Sequence, residues 1–295
     1  MKCIHPTCVL QALTDENTCI FHVKRDNKKQ SELVWGLNQL KKKGIKQIVE
    51  AHLRGADFSF LSIDERNFQS SDLTGADFNN SRLSKVGFDF SLIDNVNFEN
   101  VIFDRVDLRR VVSGKNIYFY RAIFAPTLMP PIEVFSKICV YEKMKPREPQ
   151  KAYDVYQKLK NAYKSQDQHA ATSLMYEREM KLKTELAPFI EKFWLVALWL
   201  LCGYGERPIR TFINFIIIIS IFALIYANCT LIGPNGVISG NYWESLYFST
   251  ITFTSLGYGD IRPVGIAKLF AAIESLLGVF LISLFVFVFC RKMIR

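Results

Sequence analysis

Four residues near the N-terminus have the types and spacing to hold a metal ion. Cys3, Cys8, Cys19 and His22 run as Cys-x4-Cys-x10-Cys-x2-His. Three thiolates and one imidazole can close a tetrahedral zinc site, and four protein donors leave no position open for a substrate. A zinc here would therefore be structural. His5 competes for a place in the set. A segment as short as 1–30 buries little core, and a metal would supply the missing folding energy. The alternative is a small knuckle with free thiols. The seven cysteines are odd in number and three of them crowd at one end, which argues against a disulfide framework and suits a reducing compartment.

A second group lies at the other end of the chain. Thr254-Ser255-Leu256-Gly257-Tyr258-Gly259-Asp260 sits between two long apolar segments, behind a short amphipathic run over 242–253. It resembles the pore loop and selectivity filter of the tetrameric potassium channels, whose pattern is Thr-Val/Ile/Leu-Gly-Tyr-Gly-Asp. Leu256, Gly257, Tyr258, Gly259 and Asp260 match, and Ser255 stands where that family usually has threonine.

The resemblance implies a homotetramer that passes potassium ions. The ligands would be the main-chain carbonyls of Ser255, Leu256, Gly257 and Tyr258 with the Ser255 hydroxyl, replacing the hydration shell of the ion. Successive carbonyls face one axis only if the backbone alternates in handedness, which Gly257 and Gly259 allow without steric cost. Asp260 would concentrate cations at the outer mouth, and Leu256 and Tyr258 would brace the loop from outside. Ile251 replaces the pore-helix glutamate of that family, and Tyr247 with Phe248 replaces its tryptophan pair. No arginine-repeating helix precedes the pore, so voltage sensing is not supported.

These residues need elements to position them. The stretch 212–232 is long and apolar enough to cross a bilayer, and a second runs over about 266–290. The first span is expected over about 211–232, the pore helix over 242–253 and the filter over 254–260, within a pore domain at 206–295. Gly233-Pro234-Asn235-Gly236 reads as the outer turn. Arg207, Arg210, Arg291, Lys292 and Arg295 flank the spans on one side, which places both termini in the cytoplasm of an integral membrane protein. Two residues of the second span stand out. Gly278 is either a gating hinge or a site of close helix packing. Glu274 is a carboxylate inside the membrane and hence a functional candidate. It is expected to support the filter by bonding Thr252 or Thr254.

The middle of the chain repeats every five residues. Large apolar residues fall at Leu53, Phe58, Ile63, Phe68 and each fifth position to Leu108, twelve in succession. A helix repeats every 3.6 residues and a strand every 2, so a period of five suits neither. Gly55-Ala56-Asp57-Phe58 and Gly75-Ala76-Asp77-Phe78 resemble the pentapeptide-repeat proteins, which implies a right-handed quadrilateral β-helix with four units to a coil. The domain is placed at 51–128, with three coils to Leu108, where the register fails, and with Phe119 and Phe124 as candidates to extend the stack. Leu92 and Ile102 sit at usually polar positions, and their faces are expected to be covered. Some proteins of that family mimic DNA through an acidic face; this stretch mixes arginine and lysine with its aspartates, so no nucleic acid is expected.

A linker helix over 31–50 precedes the repeat. A helical connector over 129–190 follows it, with helices near 151–164 and 169–186 that resemble one tetratricopeptide-like hairpin. The Trp-rich run in 191–205 is too short to span and reads as an interfacial helix. The fold class is therefore multi-domain: β-helix, α-helical connector and an all-α two-span pore. No nucleophile-base pair or phosphate loop appears, so an enzyme is not expected. The net charge of +9 suits a soluble domain beside anionic lipid. No signal peptide is visible, and no ligand-binding domain is expected after the second span. Control by a cytoplasmic ligand or protein is thus expected to pass through 206–208 and the Trp-rich helix to the first span. The rival readings are a weakly selective cation channel and a membrane-anchored scaffold whose repeat docks a partner.

Overall fold

The structure, a computed structural model, describes residues 2–293 apart from 7, 9, 11, 14–16, 136–148, 235 and 239. Asn235 of the expected outer turn and the terminal Arg295 lie outside the described residues. The chain divides into two compact units, Met1–Leu186 and Ala187–Arg295.

In the first unit, one backbone property accounts for the period of five. Every fifth residue from Glu50 to Arg105 lies in the left-handed region, with φ between 51° and 73°, and Asn116 and Arg121 continue the series. Each follows a buried central residue by two positions and turns the chain through a corner. Four corners bring the chain back above itself after twenty residues. Short parallel strands then pair rung to rung: β1 (Gln47–Val49) with β3 (Asn67–Gln69), and β2 (Ser62–Asp64) with β4 (Arg82–Ser84), β5 (Ile102–Asp104) and β6 (Ile123–Phe124) in that order.

The β-helix is longer than the periodicity suggests. It begins at β1, and the ladder does not stop at Leu108. Partners are twenty residues apart up to Gly87↔Asp107 and twenty-one apart from Leu92↔Ser113 onward, ending at Asp107↔Leu128. One additional residue between Asp107 and Ser113 shifts the sequence pattern by one, yet the coil absorbs it and continues. Gln47, Asn67, Gly87, Asp107 and Leu128 thus form five rungs on one side, about 19 Å tall at the usual strand spacing. The central residues fill the interior as columns. Phe58, Phe78, Phe98 and Phe119 stack at 4.7, 5.2 and 5.6 Å between ring centroids, in the offset-stacking range of aromatic pairs. The faces bearing Leu92 and Ile102 are not covered within the chain; both side chains remain exposed.

A β-helix has two open ends, each a row of unpaired backbone groups, and both are capped here. At the first end, α1 (Gln30–Lys42) packs with residues 17–28. The His52 N–H donates to the Phe21 carbonyl, Asn27 N–H to Arg54 and Asp57 N–H to Lys28, at 2.8, 2.8 and 3.0 Å. At the far end, α2 (Ile132–Phe135) is followed by α3 (Pro149–Lys164) and α4 (His169–Leu186). The Gln166 side chain accepts from Met129 N–H at 2.8 Å and donates to the Thr127 carbonyl at 2.7 Å. Lys158 donates to the Ala122 carbonyl at 3.0 Å. One apolar cluster runs from Cys3 to Leu182, so cap, coil and hairpin share a core.

The second unit opens with α5 (Phe189–Cys202), whose fourteen residues end at left-handed Gly203. Next come α6 (Pro208–Ala227), β7 (Leu231–Gly233), β8 (Gly236–Ile238), α7 (Tyr242–Phe253), β9 (Arg262–Pro263) and α8 (Ala267–Met293). Among the described residues, α6 and α8 are the helices long and apolar enough to cross a membrane. α6 starts earlier than expected because Pro208 supplies its first turn. It ends five residues earlier because 231–233 leave the helix to form a strand. β7 pairs with β8 and also with β9, Ile232 opposite Arg262. β7 therefore holds both β8 and the segment that follows Ile261.

Candidate functional site

The segment 254–260, expected to be the filter, is suspended between α7 and β9. At the N-terminus of α7, the Asn241 side chain accepts from the N–H groups of Trp243 and Glu244, a favoured capping arrangement. Its other end carries the negative pole of the helix, which favours a cation beyond it. The first filter residues stay tied to that end. Ser255 N–H donates to Thr252, and Leu256 and Gly257 N–H both donate to the Ile251 carbonyl, at 3.0, 3.0 and 3.3 Å.

The backbone of the segment alternates. Ser255, Gly257 and Gly259 have φ of +59°, +55° and +79°, while Leu256 and Tyr258 between them do not enter the left-handed region. The two glycines make this alternation accessible; Ser255 adopts it against its β-carbon. Leu256 and Tyr258 are 61% and 69% exposed in the single chain. Asp260 is held at the end of the segment, where its Oδ2 accepts from the Tyr247 hydroxyl at 2.8 Å. That contact joins α7 to the end of the 254–260 segment.

Glu274 is fully buried in α8 behind the segment. It does not bond Thr252 or Thr254 as expected. Oε2 accepts from the Tyr226 hydroxyl of α6 at 2.7 Å, and Oε1 accepts from the Ser249 hydroxyl of α7. Ser249 also lies 2.9 Å from the Ile219 carbonyl. The reason is rotational position. Thr254 turns back to the Thr250 carbonyl of its own helix, whereas Ser249 is on the buried side. One carboxylate thus links all three helices.

Gly278 is placed by contact. A β-carbon there would come within 1.9 Å of the Phe253 carbonyl oxygen. The last turn of α7 lies directly on α8 at this glycine, so close packing accounts for it.

The ends of α6 and α8 near residues 203–207 are also linked. Arg291 donates to Glu206 at 3.2 Å. Arg210 donates to the Trp199 carbonyl, and Asn214 to those of Leu200 and Leu201, at 3.0, 3.1 and 3.0 Å. The C-terminal carbonyls of α5 are therefore capped by side chains of α6, while Arg291 of α8 holds the turn between them. Spacing alone showed neither contact.

In the first unit, Cys3, Cys8, Cys19 and His22 come together, with their donor atoms all within 4.8 Å of one another. His5 is not a member of the set. Its ring stacks on His22 at 3.9 Å, and its Nε2 lies 3.0 Å from Glu50 Oε2. Burial raises the Cys8 and Cys19 thiols above their ordinary range. Cys3 is lowered: burial opposes ionisation, but N–H bonds from His5 and Cys19 prevail. Burial also lowers His22, which favours the neutral imidazole.

Comparison with known proteins gives two family matches. Residues 193–295 match the family described as ion channel. Residues 51–88 and 67–100 match pentapeptide repeats, in eight copies. The chain joins a pentapeptide-repeat β-helix to an ion channel domain. With two helices of spanning length, that domain marks an integral membrane protein, and the family implies oligomeric assembly. Neither family is one of enzymes. Among curated proteins, Protein LctB of Geobacillus stearothermophilus is 54% identical over 35 residues, 12% of this chain and 26% of that protein. The chain thus matches about a quarter of the length of that relative. Among solved structures, the pentapeptide repeat protein Rfr23 from the cyanobacterium Cyanothece 51142 is 15% identical. The match covers 28% of this chain and 53% of that one with a TM-score of 0.14, too low to carry an argument.

Proposed function

We propose that four copies of this chain form a potassium-selective channel whose N-terminal unit lies in the cytoplasm and controls the pore. The observation that carries the reading is the alternating backbone of Ser255, Gly257 and Gly259 within Thr-Ser-Leu-Gly-Tyr-Gly-Asp. Four such segments around an axis turn each carbonyl into a ring of oxygens that replaces the hydration shell of a potassium ion. The negative ends of four α7 helices favour a cation below the rings, and Asp260 adds negative charge at the mouth. The exposure of Leu256 and Tyr258 in one chain fits side chains that pack only on assembly.

Control follows from connectivity. α5 exposes Phe189, Ile190, Phe193 and Trp194, an apolar face suited to the lipid interface. A displacement of α5 would pull on α6 through Arg210 and Asn214, and on α8 through Glu206 and Arg291. The cationic residues Arg207, Arg210, Arg291 and Lys292 favour a cytoplasmic position for this side.

Potassium flux from proteoliposomes carrying the purified full chain tests the reading. Flux is expected from the wild type and not from Gly259→Ala, which cannot hold the positive φ without strain. An inert wild type overturns the proposal. Removing residues 1–186 should change the open probability; an unchanged value removes the control and leaves the pore.

A weakly selective cation channel is the second reading. The Ser255 hydroxyl lies 3.3 Å from the Ser275 hydroxyl of α8, so it is shared between the innermost site and the helix behind it. Equal sodium and potassium permeability would favour that reading.

A further inference from the structure

We propose that Cys3, Cys8, Cys19 and His22 bind one zinc ion, and that this ion fastens the N-terminal segment as a cap over the first rung of the β-helix. The proposal stands apart from the channel reading and needs nothing from it.

Donor spacing is the first argument. Cys8 Sγ is 3.5 Å from Cys19 Sγ, His22 Nδ1 is 3.2 Å from Cys19 Sγ, and Cys3 Sγ is 3.5 Å from His22 Nδ1. Tetrahedral zinc with sulfur at about 2.3 Å and nitrogen at about 2.0 Å requires donor-to-donor edges of roughly 3.5–3.8 Å. These three edges are close to those of that tetrahedron, the other donor pairs lie within 4.8 Å, and the three sulfurs carry no disulfide. The set mixes soft thiolates with one imidazole, the chemistry of structural zinc rather than of calcium or magnesium.

Orientation of the histidine is the second. His22 Nε2 lies 2.8 Å from the Val49 carbonyl. Donation to a carbonyl puts the proton on Nε2 and leaves the Nδ1 lone pair facing the thiols, the outer-shell arrangement that fixes a metal-bound imidazole. His5 lies flat against the other face of the ring and limits its rotation. Four protein donors close the site, so no position remains for catalysis.

The place of the cluster in the fold is the third. Val49 ends β1, the first rung, and the neighbour of His22, Phe21, accepts from His52 N–H in the following unit. Cys19 is also next to Ile20, which packs against Gly36 of α1. The ligands therefore sit where the cap meets the coil. Among the described residues, the segment before α1 has no strand pairing of its own beyond isolated contacts, so the metal ties loops that the backbone does not. It covers an edge that would otherwise offer unpaired backbone groups to another chain.

The test uses the full chain purified in detergent. About one zinc per chain is expected by elemental analysis, lost in Cys8→Ser. Because that variant could fail to fold for other reasons, the wild type is also exchanged with cobalt. Absorption bands of tetrahedral cobalt with thiolate charge transfer support the site; octahedral bands overturn it. Chelation should release the metal and reduce hydrogen-exchange protection over residues 47–57 by about tenfold or more. Unchanged protection would overturn the capping role. A chain that purifies folded without metal, or with Cys8 joined to Cys19 as a disulfide, would overturn the site itself.

Discussion

Tyr226 of α6 and Glu274 of α8 are joined by a 2.7 Å hydrogen bond, with the tyrosine hydroxyl as donor and the buried carboxylate as acceptor. The second carboxylate oxygen takes the Ser249 hydroxyl of α7. The helix that carries the filter is thereby bound to both spans through one side chain. Tyr226 also lies edge-on to Phe248 at 4.9 Å, so its ring packs on α7 while its hydroxyl reaches α8. Tyr226→Phe keeps the ring contact and deprives Glu274 of one partner. The expected loss is about 1–3 kcal/mol, the usual consequence of leaving a buried acceptor unsatisfied. Thermal unfolding in detergent measures it, and a midpoint equal to the wild type would contradict the role.

Gly278 makes a separable prediction. Adding a methyl group at a site 1.9 Å from the Phe253 carbonyl forces α7 away from α8. Overpacking of this kind costs about 1–3 kcal/mol. Gly278→Ala should lower thermal stability and reduce conductance together. If the glycine serves as a hinge instead, the variant would change open probability while stability stays at the wild-type value.

The left-handed corners predict where the β-helix can be improved. Ser70 has φ of +51°, a conformation costing a non-glycine residue about 1–2 kcal/mol. Glycine at the same place loses part of that gain through chain entropy. Ser70→Gly should therefore stabilise the repeat region by roughly 0.5–1 kcal/mol. Gly75→Ala, at φ +73°, should destabilise it by a similar amount. Denaturant midpoints followed by circular dichroism give both values, and a lower midpoint for Ser70→Gly would refute the corner account.

Glu65 predicts a pH dependence. It bonds Lys46 at 2.6 Å and Lys85 at 2.8 Å across successive coils. Those two lysines lower its carboxyl from 4.5 to about 2. A depressed carboxyl contributes stability that is present above its unfolded value and lost as pH falls through the folded one. Wild type should lose more stability than Glu65→Gln between pH 4.5 and about 2. The groups are exposed, so the difference should shrink at high salt. Parallel pH profiles would contradict it.

Much of this architecture is legible in the chain. Twelve large residues at intervals of five, and two apolar stretches around Gly-Tyr-Gly-Asp, are strong periodic or motif signals. Three features were hidden for physical reasons. The corner residues vary among Glu, Phe, Ser, Asn and Lys, so side-chain type does not mark the left-handed position. The extra residue between Asp107 and Ser113 breaks the written pattern but not the backbone ladder, since the coil takes it up and resumes. The partners of Glu274 depend on helix rotation, and Ser249 differs from Thr254 in facing, not in chemistry. The metal cluster shows a mixed outcome. Spacing suggested Cys3, Cys8, Cys19 and His22, but only the fold separates His5 from them and ties His22 to Val49.

The central claim is that four copies line a passage with main-chain oxygens that accept potassium and reject sodium. The direct measurement is the reversal potential of the purified full chain in a planar bilayer with potassium on one side and sodium on the other. The account predicts a current that reverses far from zero, in the direction set by potassium. A current reversing near zero would contradict the selectivity, and the absence of any current from folded, assembled protein would contradict the pore.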